Sequence, residues 1–334
     1  SGSRFVLQLL LSLIIGGGLC FLAFQGFDWE TLSSHANQLS WRGVGLYFAI
    51  FAGAHLLRVL RWGLFVRVLS GASWRPIIRI GGIGYMAITL LPFRLGELVR
   101  PWLLARDQLL NASSALATVV VERIIDGLLF VGLFFICLST LPSSDAPAVQ
   151  AVKLGAYGAG FVFSALTLIL GALAWRREAT LHLLRRLGEP ISPGLTARVL
   201  TLLEAFIDGL RVLPNLRTLL FFFTLTVIYW CLQGWGMAVA AEACGVTGLG
   251  LKGAFTLLSI LVVGIMIPAG PGFTGSFELA LVGGFALLSH PAEGAIPLYI
   301  IVLHGVQVSV QSLAGLLSLT LPRESEASYG VHEK

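Results

Sequence analysis

Of the 334 residues, 56% are hydrophobic and 12% charged, and the mean hydropathy is +0.87, whereas a typical soluble domain carries about 25% charged residues. This excludes a soluble globular protein and points to a polytopic membrane protein. The formal net charge of +5 falls in a few segments between apolar runs, so it reports orientation and disfavours a nucleic-acid partner.

Taken in order, Ser1-Gly2-Ser3 lacks a starting Met and reads as a cloning scar. Residues 5–27 follow as a first span, too long for a signal-peptide core and without a small-residue cleavage site. By the same length criterion the full crossings are 5–27, 44–69, 115–141, 152–175, 219–241 and 295–321, six in all. The fold expected is all-α, with a single membrane domain over residues 4–321 and a disordered cytoplasmic tail over 322–334. Cys20, Cys137, Cys231 and Cys244 stand singly in or beside apolar runs, with no CxxC and no histidine at ligand spacing. Packing accounts for them, and no metal or other cofactor is expected.

Two further segments, 76–110 and 252–288, are broken. The first contains Pro92-Phe93-Arg94-Leu95-Gly96-Glu97-Leu98-Val99-Arg100-Pro101 and the second Pro268-Ala269-Gly270-Pro271-Gly272-Phe273-Thr274-Gly275-Ser276-Phe277-Glu278. Proline removes a backbone donor and glycine permits a turn, so each reads as a helix that enters the membrane, stops and leaves. Arg67, Arg75 and Arg79 before the first segment and Arg106 after it belong on one side, which a re-entrant hairpin satisfies and a crossing does not. Arg4 and the basic 176–217 connection then join them in the cytoplasm, as do both termini. The segments around Glu30, Asp145, Glu242 and Glu293 lie outside. In the connection, Leu195, Val199, Leu202, Phe206, Ile207 and Leu210 recur at helical spacing, predicting an amphipathic helix along the cytoplasmic surface.

With this topology, residues 44–141 and 218–321 repeat the same order, span, hairpin, span, starting from opposite sides. That is an inverted-topology repeat, in which substrate binds near the midplane where the broken helices meet. Charges at that depth are functional candidates. Glu122 and Asp126 lie one turn apart, with Arg123 between them and Arg94, Arg100 and Glu97 on the hairpin. These groups either neutralise one another or leave arginine to receive an anionic headgroup, for which its bidentate geometry is suited. His55, Arg58 and Arg61 form a polar stripe on the second span, and His304, Gln307 and Gln311 another on the last. Arg58 and Arg61 either line a cavity or snorkel to the interface. Glu97 and Glu278, each shortly after a break, are candidates for proton-linked switching.

The set Pro92-x-Arg94-x-Gly96-Glu97-x-x-Arg100, Glu122-Arg123-x-x-Asp126 and Pro268-x-Gly270-Pro271-Gly272-x-x-Gly275-x-x-Glu278 resembles the transmembrane-domain family of lysylphosphatidylglycerol synthases. The resemblance implies a flippase of a bacterial inner membrane that moves a phospholipid or other lipid-linked anionic substrate between leaflets. The partners implied are membrane lipids, with oligomers allowed. The sequence given ends at Lys334 without the soluble aminoacyl-transferring domain, so lipid aminoacylation by this chain alone is not expected. Two other readings stay open: a membrane enzyme acting on lipid-linked phosphates, and a non-transporting scaffold of a lipid-synthesis complex.

Overall fold

A computed structural model of the chain describes residues 2–25, 27, 29–138, 147–190, 192–210, 215–266, 270–288 and 294–323. Among them there is no strand. The helices are α1 (Gly2–Phe24), α2 (Trp29–Asn37), α3 (Trp41–Ser70), α4 (Trp74–Leu90), α5 (Val99–Arg106), α6 (Ala112–Leu138) and α7 (Pro147–Trp175). They continue as α8 (Arg177–Gly188), α9 (Pro193–Gly209), α10 (Leu216–Ala243), α11 (Gly250–Gly264), α12 (Ser276–Leu287) and α13 (Ala295–Leu319). Short 3-10 turns at Pro92–Leu98 and Pro271–Phe273 interrupt the two broken segments.

By length and composition α3, α10 and α13 can each cross a membrane, and α7 with α8, bent by 94°, would add a fourth span if counted as one. α6 is 27 residues long but carries Glu122, Arg123 and Asp126 in its middle. The chain is a multi-pass membrane protein. Leu220, Phe221, Phe223, Ile301, Leu313 and Leu317 are exposed on the outsides of these helices, as side chains facing hydrocarbon should be.

α3 and α10 run antiparallel over their full lengths. At one end the Ser40 N–H donates to the Ala243 carbonyl at 3.0 Å; at the other Phe65 stacks on Phe222 at 4.2 Å. Ser40 caps α3 by accepting from the Gly43 N–H, and Gly71, at φ +69°, closes it through an N–H bond to the Arg67 carbonyl. The larger hydrophobic core lies among α10 to α13, around Met237, Leu257, Phe277 and Tyr299. A smaller one, around Trp62, Ile77 and Leu104, joins α3 to α4 and α5.

Both broken segments double back. α5 returns beside α4, so that Gly96 lies against the backbone of Ala87 and Ile88 and Asp107 pairs with Arg79 at 3.1 Å. The end of the segment therefore lies next to its beginning. In the second, Gly264 lies against Ala280 and Gly284 against Leu257, so α12 is antiparallel to α11. The turn there needs glycine: Gly272 has φ +70° and Gly275 φ +92°, where a Cβ would be strained. Gly96 and Gly270 have ordinary φ values and serve by close packing instead, Gly270 against Ser12 and Gly16 of α1. Pro92 and Pro271 each open a 3-10 turn, where the missing N–H costs nothing. Pro268, the remaining expected break, lies outside the described residues, as do Asp145, Arg211, Glu293 and residues 324–334.

The 176–217 connection forms two helices rather than one. Ser192 caps α9 and Pro193 starts it, and α9 docks on α6, where the Ser114 hydroxyl donates to the Ala205 carbonyl at 2.5 Å. The predicted apolar stripe divides accordingly. Ile207 and Leu210 turn inward with Leu200, while Leu195 and Leu202 are exposed. One broad stripe thus serves a protein neighbour and an open face together, a division that periodicity cannot register.

Candidate functional site

The charges of α3, α6 and the first hairpin meet inside the bundle. Arg61 holds Asp126 with both arms of its guanidinium, at 2.6 and 2.8 Å, and also donates to Glu122 at 3.2 Å and to the Thr226 hydroxyl at 3.0 Å. Arg100 donates to Glu122 at 2.8 Å and to the Tyr85 hydroxyl at 2.9 Å, and lies 3.4 Å from Glu97. Arg123 reaches Glu122 at 2.7 Å. The Tyr85 hydroxyl donates to Glu122 at 3.0 Å, and the Trp230 indole donates to Asp126 at 3.2 Å. Side chains of Arg61, Arg100 and Glu122 are 0% exposed. Arg61 therefore does not snorkel to an interface.

Local sequence explains how so much charge packs. Arg61, Glu122 and Asp126 project from helices whose neighbouring turns are apolar. Gly84 of α4 gives the Arg100 chain its room, since a Cβ there would overlap it. Each buried carboxylate meets two or more donors, the condition under which an ion pair survives burial.

Two arginines stand apart from this pairing. Arg58 lies over the Tyr85 ring, 4.3 Å from its centre, with Arg100 at 4.5 Å from the same ring. It forms no ion pair among the described residues, and its Nε is enclosed without a hydrogen-bond partner. Arg94, at the tip of the first hairpin, sits in the left-handed region at φ +57°, a conformation that a long side chain adopts only under constraint. It donates to the Ile265 carbonyl at the end of α11 at 2.7 Å, where the helix dipole is negative. Its guanidinium lies 5.5 Å from the Phe273 ring, and its Nε too is enclosed and unpartnered. Next to Arg58, His55 is buried, with a free Nε2 and its ring edge-on to Tyr85 at 5.8 Å. Among the described residues, five guanidinium groups thus face three carboxylates, leaving two positive charges over.

His304 and Gln307 belong elsewhere. The His304 Nδ1 meets Glu278 Oε1 at 2.5 Å and its Nε2 meets the Gly272 carbonyl at 2.6 Å, while the ring stacks on Phe277. The other oxygen of Glu278 accepts from the Gly275 N–H at 2.6 Å and so caps α12. Gln307 donates to the Tyr47 hydroxyl at 3.1 Å, and Gln311 accepts from Thr89 at 2.7 Å. The tips of the two hairpins nonetheless touch: Phe273 of the second packs against Val59, Tyr85 and Ile88, below Arg94 of the first.

Sequence reasoning missed Tyr85 of α4 and Thr226 and Trp230 of α10, polar groups on mainly apolar helices. For Tyr85 the neighbouring Gly81-Gly82 and Gly84 were a usable signal of close packing. It also missed the Gly16-Gly17-Gly18 run of α1, where Gly16 presses on Gly270 and Gly275 of the second tip.

A family model described as the lysylphosphatidylglycerol synthase TM region matches residues 9–315. No curated protein and no solved structure matches the chain.

Proposed function

This chain belongs to the lysylphosphatidylglycerol synthase TM-region family, and from that premise we propose that it moves a phospholipid, or another lipid-linked substrate with an anionic headgroup, between the leaflets of a bacterial inner membrane. One observation carries the reading. Arg58 and Arg94, beside a network in which five guanidinium groups share three carboxylates, form no ion pair among the described residues. Arginine cannot shed its proton, so an excess of this kind away from bulk water calls for an anion, and a phosphate suits the guanidinium fork. Arg123, 32% exposed, stands at the edge of the same patch, while Arg61 and Arg100 position it.

The transport reading also rests on the inverted repeat, with α1, α3, α6, α7, α10 and α13 as the six crossings and the α4–α5 and α11–α12 hairpins entering from opposite sides. Packing supports it pair by pair. α3 and α10, the first helices of the two units, lie on each other; α4 lies on α13 as α11 lies on α6; and α3 meets α6 as α10 meets α13. A two-fold axis in the membrane plane would produce this exchange of partners. Positive charge on the 67–79, 106 and 176–217 segments would place both termini in the cytoplasm.

The test is to extract the protein and identify the lipids that stay bound. Enrichment of phosphate-bearing lipids over the bulk membrane, lost in Arg58→Gln and Arg94→Gln, is the expected result. Equal retention of zwitterionic and anionic lipid by all three proteins would favour the scaffold reading, in which the ion network only holds the fold.

A further inference from the structure

Outside the arginine patch, the bonding of His304 fixes a proton. A carbonyl oxygen only accepts, so the Nε2 facing Gly272 carries hydrogen. At 2.5 Å the Nδ1 and Glu278 Oε1 cannot face each other as bare lone pairs, so a second proton lies between them. The remaining Glu278 oxygen is already engaged as an acceptor by the Gly275 N–H. Whichever of the two partners formally owns it, the pair holds one proton more than a carboxylate beside a neutral imidazole, and is neutral as a whole.

We propose that the Glu278–His304 pair is the binding site of a coupling proton, and that this proton clamps the tip of the second hairpin. The proposal rests on the transport reading above and adds what drives it. When the shared proton leaves to water, the pair becomes a monoanion. His304 then has one N–H for two acceptors, and one of its ties, to Gly272 or to Glu278, becomes a repulsion. Loss of the Gly272 tie frees the Pro271–Phe273 turn directly, and loss of the Glu278 tie parts α13 from the start of α12 that follows the turn; Phe273 packs on the Val59, Tyr85 and Ile88 cluster and lies under Arg94.

Few other groups titrate nearby. Cys20 of α1 is within electrostatic reach of Glu278. Arg94 on the first tip, and Arg58, His55 and Tyr85 of α3 and α4, lie beyond Phe273; α13 offers the neutral Gln307 and Gln311 and the buried Tyr299, and Tyr47 of α3 meets Gln307. A new negative charge here opposes an anion at the arginine patch, whereas the proton-bound pair does not. Proton and anionic lipid should therefore bind together, and by linkage each should raise the affinity for the other.

The Glu278→Gln side chain makes a sharp test. Its amide N–H can donate to Nδ1 while its oxygen accepts from Gly275, reproducing the bonds of the protonated pair with no carboxylate to ionise. The experiment places a cysteine at Thr274 in a background where all four native cysteines are alanine. The protein is reconstituted in pure phosphatidylcholine vesicles and labelled with a maleimide over about pH 5 to 9, a series that brackets the charge change of an unperturbed histidine, with rates normalised to a denatured control. We expect labelling to rise several-fold, beyond that control, as pH increases; to stay low at every pH in Glu278→Gln; and to stay high at every pH in His304→Ala. A flat wild-type profile, or a Glu278→Gln profile that follows the wild type, would overturn the proposal. As a second readout, nitrogen NMR of labelled histidine and carbon NMR of labelled glutamate should show, near neutral pH, either a doubly protonated His304 ring or a protonated Glu278, each absent from His304→Gln or Glu278→Gln respectively. A His304 ring with a bare nitrogen beside an ionised Glu278 under those conditions would equally overturn it. No anionic lipid is present, so either result stands apart from that of the lipid-retention experiment.

Discussion

The two hairpin tips are built alike and charged differently. Each comes at the end of an apolar helix, turns through a proline-led 3-10 segment and is closely packed at a glycine, yet the first is packed with guanidinium groups and the second carries one histidine–carboxylate pair. Arginine at the first tip is charged at any physiological pH. The pair at the second can gain or lose a proton. On the proposed transport reading, the difference would separate two tasks that an ion-coupled carrier must combine: a permanent attraction for an anion, and a switch that responds to the side facing water. Glu97 and Glu278, which the sequence presents as equivalents, fall on either side of this division. Glu97 has Arg100 beside it at 3.4 Å and Glu278 has His304 at 2.5 Å.

The comparison can be broken first at the network that holds the first tip. Glu122→Gln or Asp126→Asn leaves buried arginine without its counter-charge, which costs about 3–5 kcal/mol. Thermal unfolding in detergent should show a large drop for both, whereas Glu278→Gln, which keeps its bonds, should unfold close to the wild type. Equal losses would mean that both tips are structural. Next in size, Arg58→Gln and Arg94→Gln should each weaken retention of phosphatidylglycerol by more than about ten-fold, the worth of a charge-assisted hydrogen bond being about 1.5–3 kcal/mol, with little effect on unfolding. Native mass spectrometry of the purified variants reads the first quantity and thermal unfolding in detergent the second.

Smaller effects sharpen the contrast at the second tip. Gly275→Ala forces a Cβ into the left-handed region and against α1, at about 1–2 kcal/mol for the backbone alone. Labelling of a cysteine at Thr274 should then lose its low-pH protection even with the His304 pair intact. Smallest of all, Gln311→Ala removes only the interhelical bond to Thr89. About 0.6 kcal/mol is typical of such a bond in a membrane protein, and neither lipid retention nor the pH profile should move.

How much of this was legible beforehand depends on what each residue's neighbours are. Pro92, Gly272 and Gly275 announce their turns because the chain constraint is local. Arg94, Glu122, Asp126 and Glu278 are conspicuous because charge in an apolar run is rare, and all four lie at the sites described. What sequence could not supply is pairing. Arg58 and Arg61 sit three residues apart on one helix, and nothing in their spacing tells that Arg61 meets Asp126 and Thr226 while Arg58 meets only the face of Tyr85. The same holds for His304, grouped by spacing with Gln307 and Gln311 but joined in space to Gly272 and Glu278. The connection after α7 reads as helical from its spacing, yet its division into α8 and α9 depends on which face α6 covers.

The account stands on an anion held at Arg58 and Arg94 and carried across the bilayer. Its most direct test is a translocation assay in phosphatidylcholine vesicles containing the protein and a trace of fluorescent phosphatidylglycerol, with dithionite quenching the outer leaflet. The wild type should bring most of the inner label out within the assay. The Arg58→Gln/Arg94→Gln double variant, reconstituted to the same level and unfolding at the same temperature, should match empty vesicles. A double variant that translocates phosphatidylglycerol as fast as the wild type, or a wild type no faster than empty vesicles, would contradict it.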